Sequence, residues 1–237
     1  MWKTSNLSSY PIKNSHDVWK RFPLNYEIHL WTDDQIEKLI STAEYQYLYP
    51  VYKSYLYSIQ RCDLARLVVL HAFGGIYADL DVYPHEKHIE KLVFNNASFI
   101  IGRSSTDDIV VNHFMISEKY STIVEKILRS YPRKTLLNTI YLVPYLEVFS
   151  TGSIFLTSIL RKLGQTEGLM ILSKDDLAEY IYHDAGRSWH FLDGRFFNQF
   201  DADPLTAVTT IFAVVVVCFL IASIFFFIKY YRTFRAL

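Results

Sequence analysis

Cysteine is nearly absent from this 237-residue chain, with Cys62 and Cys218 the only two. One lies in a mixed charged and apolar stretch and the other inside a long apolar run, so a disulfide framework is excluded as the basis of the fold. Excess charge of either sign is also missing, since 24 basic residues face 24 acidic ones. No global field argues for nucleic acid or a polyanionic surface, and a partner must be read from a local site. Residues 1 to about 200 contain no repeat, no low-complexity tract and no Pro/Gly/Ser linker, which makes one compact domain the economical expectation.

Apolar sequence, in contrast, is plentiful. "LTAVTTIFAVVVVCFLIASIFFFI", Leu205 to Ile228, carries no charge, proline or glycine. As a helix it spans ~36 Å, enough for a ~30 Å hydrocarbon core with some tilt. A helix apolar on every face suits lipid better than a protein core. The expected division is therefore a domain at 1–204, a transmembrane helix at 205–228 and a short basic tail at 229–237. Asp201 and Asp203 precede the run while Lys229, Arg232 and Arg235 follow it, so the positive-inside rule puts the tail in the cytosol and the domain in a lumen or outside. The sequons Asn6-Leu7-Ser8 and Asn96-Ala97-Ser98 are compatible with that side.

Within the domain, strand-like and helix-like segments alternate, which predicts an α/β fold. "NYEIHLW" (25 to 31) is β-like, and Thr32 with Gln35 forms a capping box that opens a helix toward Ile40. A buried helix is expected from about Ile59 to Phe73, stopped by Gly74-Gly75. "IYADLDVY", "SFIIG" and "IVVNHFMI" read as strands, and "SEKYSTIVEKILRSY" as a helix by the spacing of Ile123, Val124, Ile127 and Leu128.

The chemistry concentrates in "QRCDLARLVVLHAFGGIYADLDVYPHE". On one continuous strand Asp79 and Asp81 would share a face ~7 Å apart, with Tyr77 and Tyr83, while Ile76, Ala78, Leu80 and Val82 form the apolar face. Two carboxylates so close repel unless a proton or cation intervenes, and hard oxygen ligands suit Mg²⁺ or Mn²⁺. An isolated D-x-D is more often a pair of solvated carboxylates. Here Asp63 and Arg66 stand one helical turn apart on a helix that reads as buried, where an unpaired charge would be costly.

"QRCDLARLVVLHAFGGIYADLDV" resembles the central motif of nucleotide-sugar-dependent glycosyltransferases with a metal-binding D-x-D signature. It is most similar to the fungal family of mannosyl-inositol-phosphorylceramide synthases and the initiating α-1,6-mannosyltransferase. The resemblance continues through "NYEIHLWTDD", "FSTGSIFLTSIL" and "HDAGRSWHFLDGRFF", and so covers most of the domain. It implies a GT-A type, Rossmann-like nucleotide-sugar-binding domain ahead of the C-terminal helix, a divalent ion, usually Mn²⁺ with Mg²⁺ as the alternative, and sugar transfer with retention. By that resemblance Asp79 and Asp81 are the metal-binding pair, Asp81 the more direct ligand, and Asp63 and Arg66 meet the donor sugar and its phosphate. Gly75 and Tyr77 belong to the donor site. In the block resembling G-S-S-W-H, Trp189 would pack against the donor and His190 would be a third metal ligand or phosphate contact. Trp2 would stack on the nucleotide base.

The implied donor is GDP-mannose, with a UDP-sugar as the alternative, and the implied acceptor a lipid headgroup such as inositol phosphoceramide, or a glycan. No nucleic-acid partner is expected, and a regulatory subunit would be in keeping with the resemblance. The expected location is a Golgi or other secretory-pathway membrane with the catalytic domain lumenal. Departures from the family pattern are Cys62, Arg187 and Ser153, and the strand expected before Trp2. A catalytically degenerate, membrane-tethered partner protein therefore stays open, as does a dehalogenase-like phosphatase, although "ADLDVY" is not its D-x-D-G-T.

Overall fold

The computed structural model describes residues 1–10, 13–21, 26–55, 57–85, 89–104, 107–131 and 151–184, with a few isolated positions beyond 208. The chain divides into two units, Met1–Trp189 and His190–Leu237, and the described elements below belong to the first. In chain order they are α1 (His16–Lys20), α2 (Asp33–Ile40), α3 (Tyr49–Ser54), α4 (Ser58–Phe73), β1 (Gly75–Ala78), β2 (Val82–Pro84), α5 (Ile89–Val93), β3 (Phe99–Arg103) and β4 (Val110–Ser117). They continue with α6 (Thr122–Arg129), α7 (Ser153–Leu163), β5 (Leu169–Leu172), α8 (Lys174–Tyr180) and β6 (Ile181–His183).

The main sheet has the order β1-β4-β3-β5, with β4 antiparallel to both neighbours and β5 parallel to β3. A second, two-stranded sheet pairs β2 with β6. Alternate residues of each strand enter different cores, as a pleated strand demands. Tyr77, Phe99, Ile101 and Met115 pack with α2, α3, α4, α6 and α7, while Ile100, Phe114 and Ile116 pack with α5, α8 and β2. The result is an α/β sandwich covered on both faces.

Local sequence accounts for several boundaries. The Thr32 capping box forms as expected, Thr32 Oγ1 accepting from the Gln35 amide while Gln35 Oε1 accepts from the Thr32 amide. α4 is buried nearly throughout and ends at Gly74, whose φ of +70° an L side chain rarely adopts. Gly74 is also a close approach, since a Cβ there would lie 2.7 Å from the Lys119 amide nitrogen.

Two expectations need correction. Residues 26–31 run without strand pairing, apart from an isolated parallel bridge that joins Trp2 to Thr32 just beyond them. The stretch "IYADLDVY" is not one strand. β1 ends at Ala78, the chain turns with the Val82 amide donating to the Asp79 carbonyl (3.0 Å), and β2 joins the other sheet. The D-x-D therefore sits in a turn between sheets. Within β1 the pleat is as expected, with Tyr77 packed in one core and Ile76 and Ala78 on the other.

Among the described residues no helix is long and apolar enough to cross a membrane. The segment 205–228 expected to do so lies, apart from isolated positions, outside the described residues, as does the tail 229–237.

Candidate active site

The site begins with two charges on a buried helix. Asp63 and Arg66 lie one turn apart on α4, and the Arg66 Nη2 to Asp63 Oδ1 distance is 3.2 Å. Their side chains are 2% and 4% exposed, which leaves no room for solvation by bulk water. The charge of Asp63 is met instead by protein donors. Asn112 Nδ2 donates to its Oδ1 at 2.8 Å and Thr151 Oγ1 to its Oδ2 at 2.9 Å, while Tyr131 Oη donates to its backbone carbonyl at 3.0 Å. Burial still pushes the Asp63 carboxyl up to about 6, against the pull of Arg66, Thr151 and Asn112.

Arg66 carries this network to the motif turn. Its Nη1 donates to the Asn112 carbonyl at 2.8 Å and reaches Asp79 Oδ2 at 3.4 Å. The guanidinium lies 5.3 Å from the Tyr77 ring centroid, within cation–π range, and Tyr77 Oη donates to Asp79 Oδ1 at 2.6 Å. Burial works against the Arg66 charge, but Asp79, Tyr77 and Asp63 outweigh it and its pKa rises. Arg66 is thus a fixed cation between two carboxylates. Asp79 has a hydrogen bond on each oxygen and remains 29% exposed.

Asp81 is held from the other sheet. Its carbonyl accepts from the Asp184 amide (2.9 Å), and its Oδ2 lies 3.6 Å from His183 Nε2 at the end of β6. The His183 ring stacks on His113 of β4, with centroids 4.0 Å apart and planes 19° off parallel. Burial first, and His183 second, push His113 down to about 3, so it is neutral at ordinary pH. The Asp79 amide donates to the His113 carbonyl at 2.9 Å.

The structure thus brings together Asp63, Arg66, Tyr77, Asp79 and Asp81. Gly75, at φ +90°, opens β1 toward them. Trp2 has other partners: its Nε1 donates to Ser9 Oγ at 2.7 Å and its ring meets Tyr10 edge-on. Trp189 and His190 lie outside the described residues. A cavity of about 1060 Å³ opens on the β1 side, where Trp31, Phe73, Gly75, Tyr77 and Asp79 line it; Asp63, Arg66 and Asp81 do not. Burial pushes the Cys62 thiol up to about 11.

Sequence reasoning missed Asn112, His113, Thr151 and His183. A signal for the first two was present, since Asn112-His113 interrupts the otherwise apolar "IVVNHFMI" in mid-strand. Thr151 and His183 lie in the blocks "FSTGSIFLTSIL" and "HDAGRSWHFLDGRFF" that carry the resemblance, but no local pattern joins Thr151 to Asp63 across 88 positions.

Among the described residues no group of three or more His, Cys, Asp or Glu side chains gathers as a metal cage. Asp79 and Asp81 offer hard carboxylate oxygens, the donor type that an ion of the Mg²⁺ or Mn²⁺ kind takes. Such an ion is commonly held by one or two carboxylates and completes its shell with water and substrate phosphate.

Residues 11–99, which contain α1 to α5 and the D-x-D turn, match the family described as glycosyltransferase sugar-binding region containing DXD motif. The chain is 31% identical over 206 residues to inositol phosphoceramide mannosyltransferase 3 of Schizosaccharomyces pombe, covering 82% of this chain and 55% of that protein. It is 26% identical over 231 residues to inositol phosphoceramide mannosyltransferase 1 of the same organism, covering 92% and 70%. Mannosyl phosphorylinositol ceramide synthase CSH1 of Saccharomyces cerevisiae is 26% identical over 223 residues, covering 88% and 56%. The chain spans little more than half the length of the first of these relatives. Among solved structures, PaToxG glycosyltransferase aligns with a TM-score of 0.34 and 22% identity over 53% of this chain and 45% of that one.

Proposed function

We propose that this chain is a glycosyltransferase of GT-A type that transfers mannose from GDP-mannose to a lipid headgroup of the inositol phosphoceramide kind, with retention at the sugar. The observation that carries the reading is the unbroken chain of contacts from Asp63 through Arg66 to Asp79, which ends at a turn that also presents Asp81. The mannosyltransferase names of the relatives support the sugar and the acceptor class.

In this reading Asp81 is the principal carboxylate for a divalent ion and Asp79 the second. When bound, that ion would neutralise the diphosphate of the departing nucleotide. Arg66, permanently cationic, holds Asp79 in place and offers positive charge beside the phosphate, while Asp63 fixes Arg66 from behind. Asp63 and Arg66 are buried, so they act by orienting and by field rather than as proton carriers. Residues 205–228 would anchor the chain in a secretory-pathway membrane such as the Golgi, with the domain on the lumenal side. That position would keep a lipid acceptor within reach.

The test is turnover of GDP-mannose and of UDP-sugars by the detergent-solubilised chain, with and without Mn²⁺ and inositol phosphoceramide. Mn²⁺-dependent transfer from GDP-mannose, absent in Asp81→Ala, is the expected result. Transfer from a UDP-sugar alone would replace the donor, and folded protein that turns over no donor would favour the degenerate partner protein.

A further inference from the structure

Both aspartates of the motif are tied to one pair of histidines. Asp79 is fixed through its amide, which donates to the His113 carbonyl at 2.9 Å. Asp81 is approached by His183 Nε2 at 3.6 Å, and the two imidazoles lie nearly parallel with centroids 4.0 Å apart. The turn between the aspartates joins β1 of the main sheet to β2 of the small sheet. His113 sits on β4, beside β1, and His183 on β6, beside β2, opposite Val82. The ring stack therefore locks the two sheets together where the carboxylates must be held at a set separation. The small sheet alone would leave that separation soft, because β2 and β6 pair over only three positions.

We propose that His113 and His183 are positioning residues whose ring stack fixes the two ends of the motif turn and so sets where the Asp81 carboxylate stands relative to Asp79 for a divalent ion. The inference rests on the glycosyltransferase reading. Outer partners that orient ligand side chains characteristically change metal affinity about 10- to 100-fold when removed. The flat faces of the rings carry the effect at His113, whereas His183 also needs its Nε2 toward Asp81.

The test is Mn²⁺ alone, titrated into the full chain and followed by the loss of the free-ion electron paramagnetic resonance signal, with circular dichroism melting as the check on folding. His113→Ala should weaken Mn²⁺ binding about tenfold or more, and His113→Phe, which keeps a flat ring, should stay within about threefold of the parent. His183→Phe keeps the stack but removes the contact to Asp81, and should weaken binding about tenfold. A role confined to packing would lower the melting temperature and leave the affinity of the folded protein unchanged. Parent-like Mn²⁺ affinity in folded His113→Ala overturns the inference, as does His113→Phe binding as weakly as His113→Ala. Should His113→Ala not fold, His183→Phe decides: parent affinity overturns the proposal and a tenfold loss supports it. If the parent chain itself binds no Mn²⁺, the metal-dependent reading fails and the inference falls with it. That outcome is distinguished by a parent that behaves like Asp81→Ala.

Discussion

Arg66 on α4 and Asp79 at the end of β1 meet at 3.4 Å, Nη1 to Oδ2, across thirteen residues of sequence. The contact joins the buried D-x-x-R of the helix to the D-x-D of the turn, and the same guanidinium is braced by Asp63 at 3.2 Å. Both the stability of the domain and the electrostatics of its site run through this one side chain.

Removing Arg66 should therefore be costly for folding. Arg66→Met leaves Asp63 buried without its cation, and urea denaturation is expected to show a loss of about 3–5 kcal/mol. The double variant Asp63→Leu/Arg66→Met removes both charges and should recover a large part of that loss. Equal losses in the single and double variants would mean that the pair is not coupled.

Asp81 should matter for chemistry and little for folding. Asp81→Ala is expected to lower Mn²⁺-dependent transfer by about a hundredfold or more, the order lost with one preorganised electrostatic contact at a reacting centre. Its melting temperature should remain near that of the parent, because the side chain lies at a turn and its backbone bond to Asp184 is unaffected. Parallel melts and transfer assays separate the two effects.

The pH dependence of stability should show two opposed contributions. Burial raises Asp63 from an ordinary 3.8 to about 6, so its contribution is full below about pH 4 and is lost as pH rises through 6. Burial and His183 lower His113 from 6.5 to about 3, so its contribution is full above about pH 6.5 and is lost as pH falls through 3. His113 faces His183, Asp81 and Arg66, and Asp63 faces Arg66 and Asp79. Between pH 4 and 6 the two contributions run against each other and largely cancel in the parent. In His113→Phe the Asp63 contribution alone should tilt that slope downward relative to the parent. Urea midpoints at pH 4, 5 and 6 measure both slopes, and an unchanged slope in the variant would contradict the assignment.

The two glycines after α4 should differ. Gly74→Ala meets both a positive φ and the Lys119 amide at 2.7 Å, and is expected to cost about 2 kcal/mol or more. At Gly75 the φ is +90° but nothing lies within 4 Å of a Cβ, so Gly75→Ala should cost about 1 kcal/mol. Denaturant titration of the two variants tests the ranking.

Periodicity, capping chemistry and turn residues are local properties, and what depends on them was legible in the sequence by itself: the helix that Thr32 and Gln35 open, the buried helix that Gly74 ends, and the strands around Ile100 and Met115. So was the pairing of Asp63 with Arg66, since one helical turn brings them to the same side. The tertiary structure alone decided where the D-x-D lies. An alternating pattern does not record which sheet each end of a strand joins, and Asp79 to Val82 became a turn because β4 takes the first half and β6 the second. Tertiary packing also chose the partners of the charges. Asn112, Thr151 and His183 reach the site from distant segments, and a buried carboxylate must take its hydrogen bonds from whichever donors the folded chain brings near.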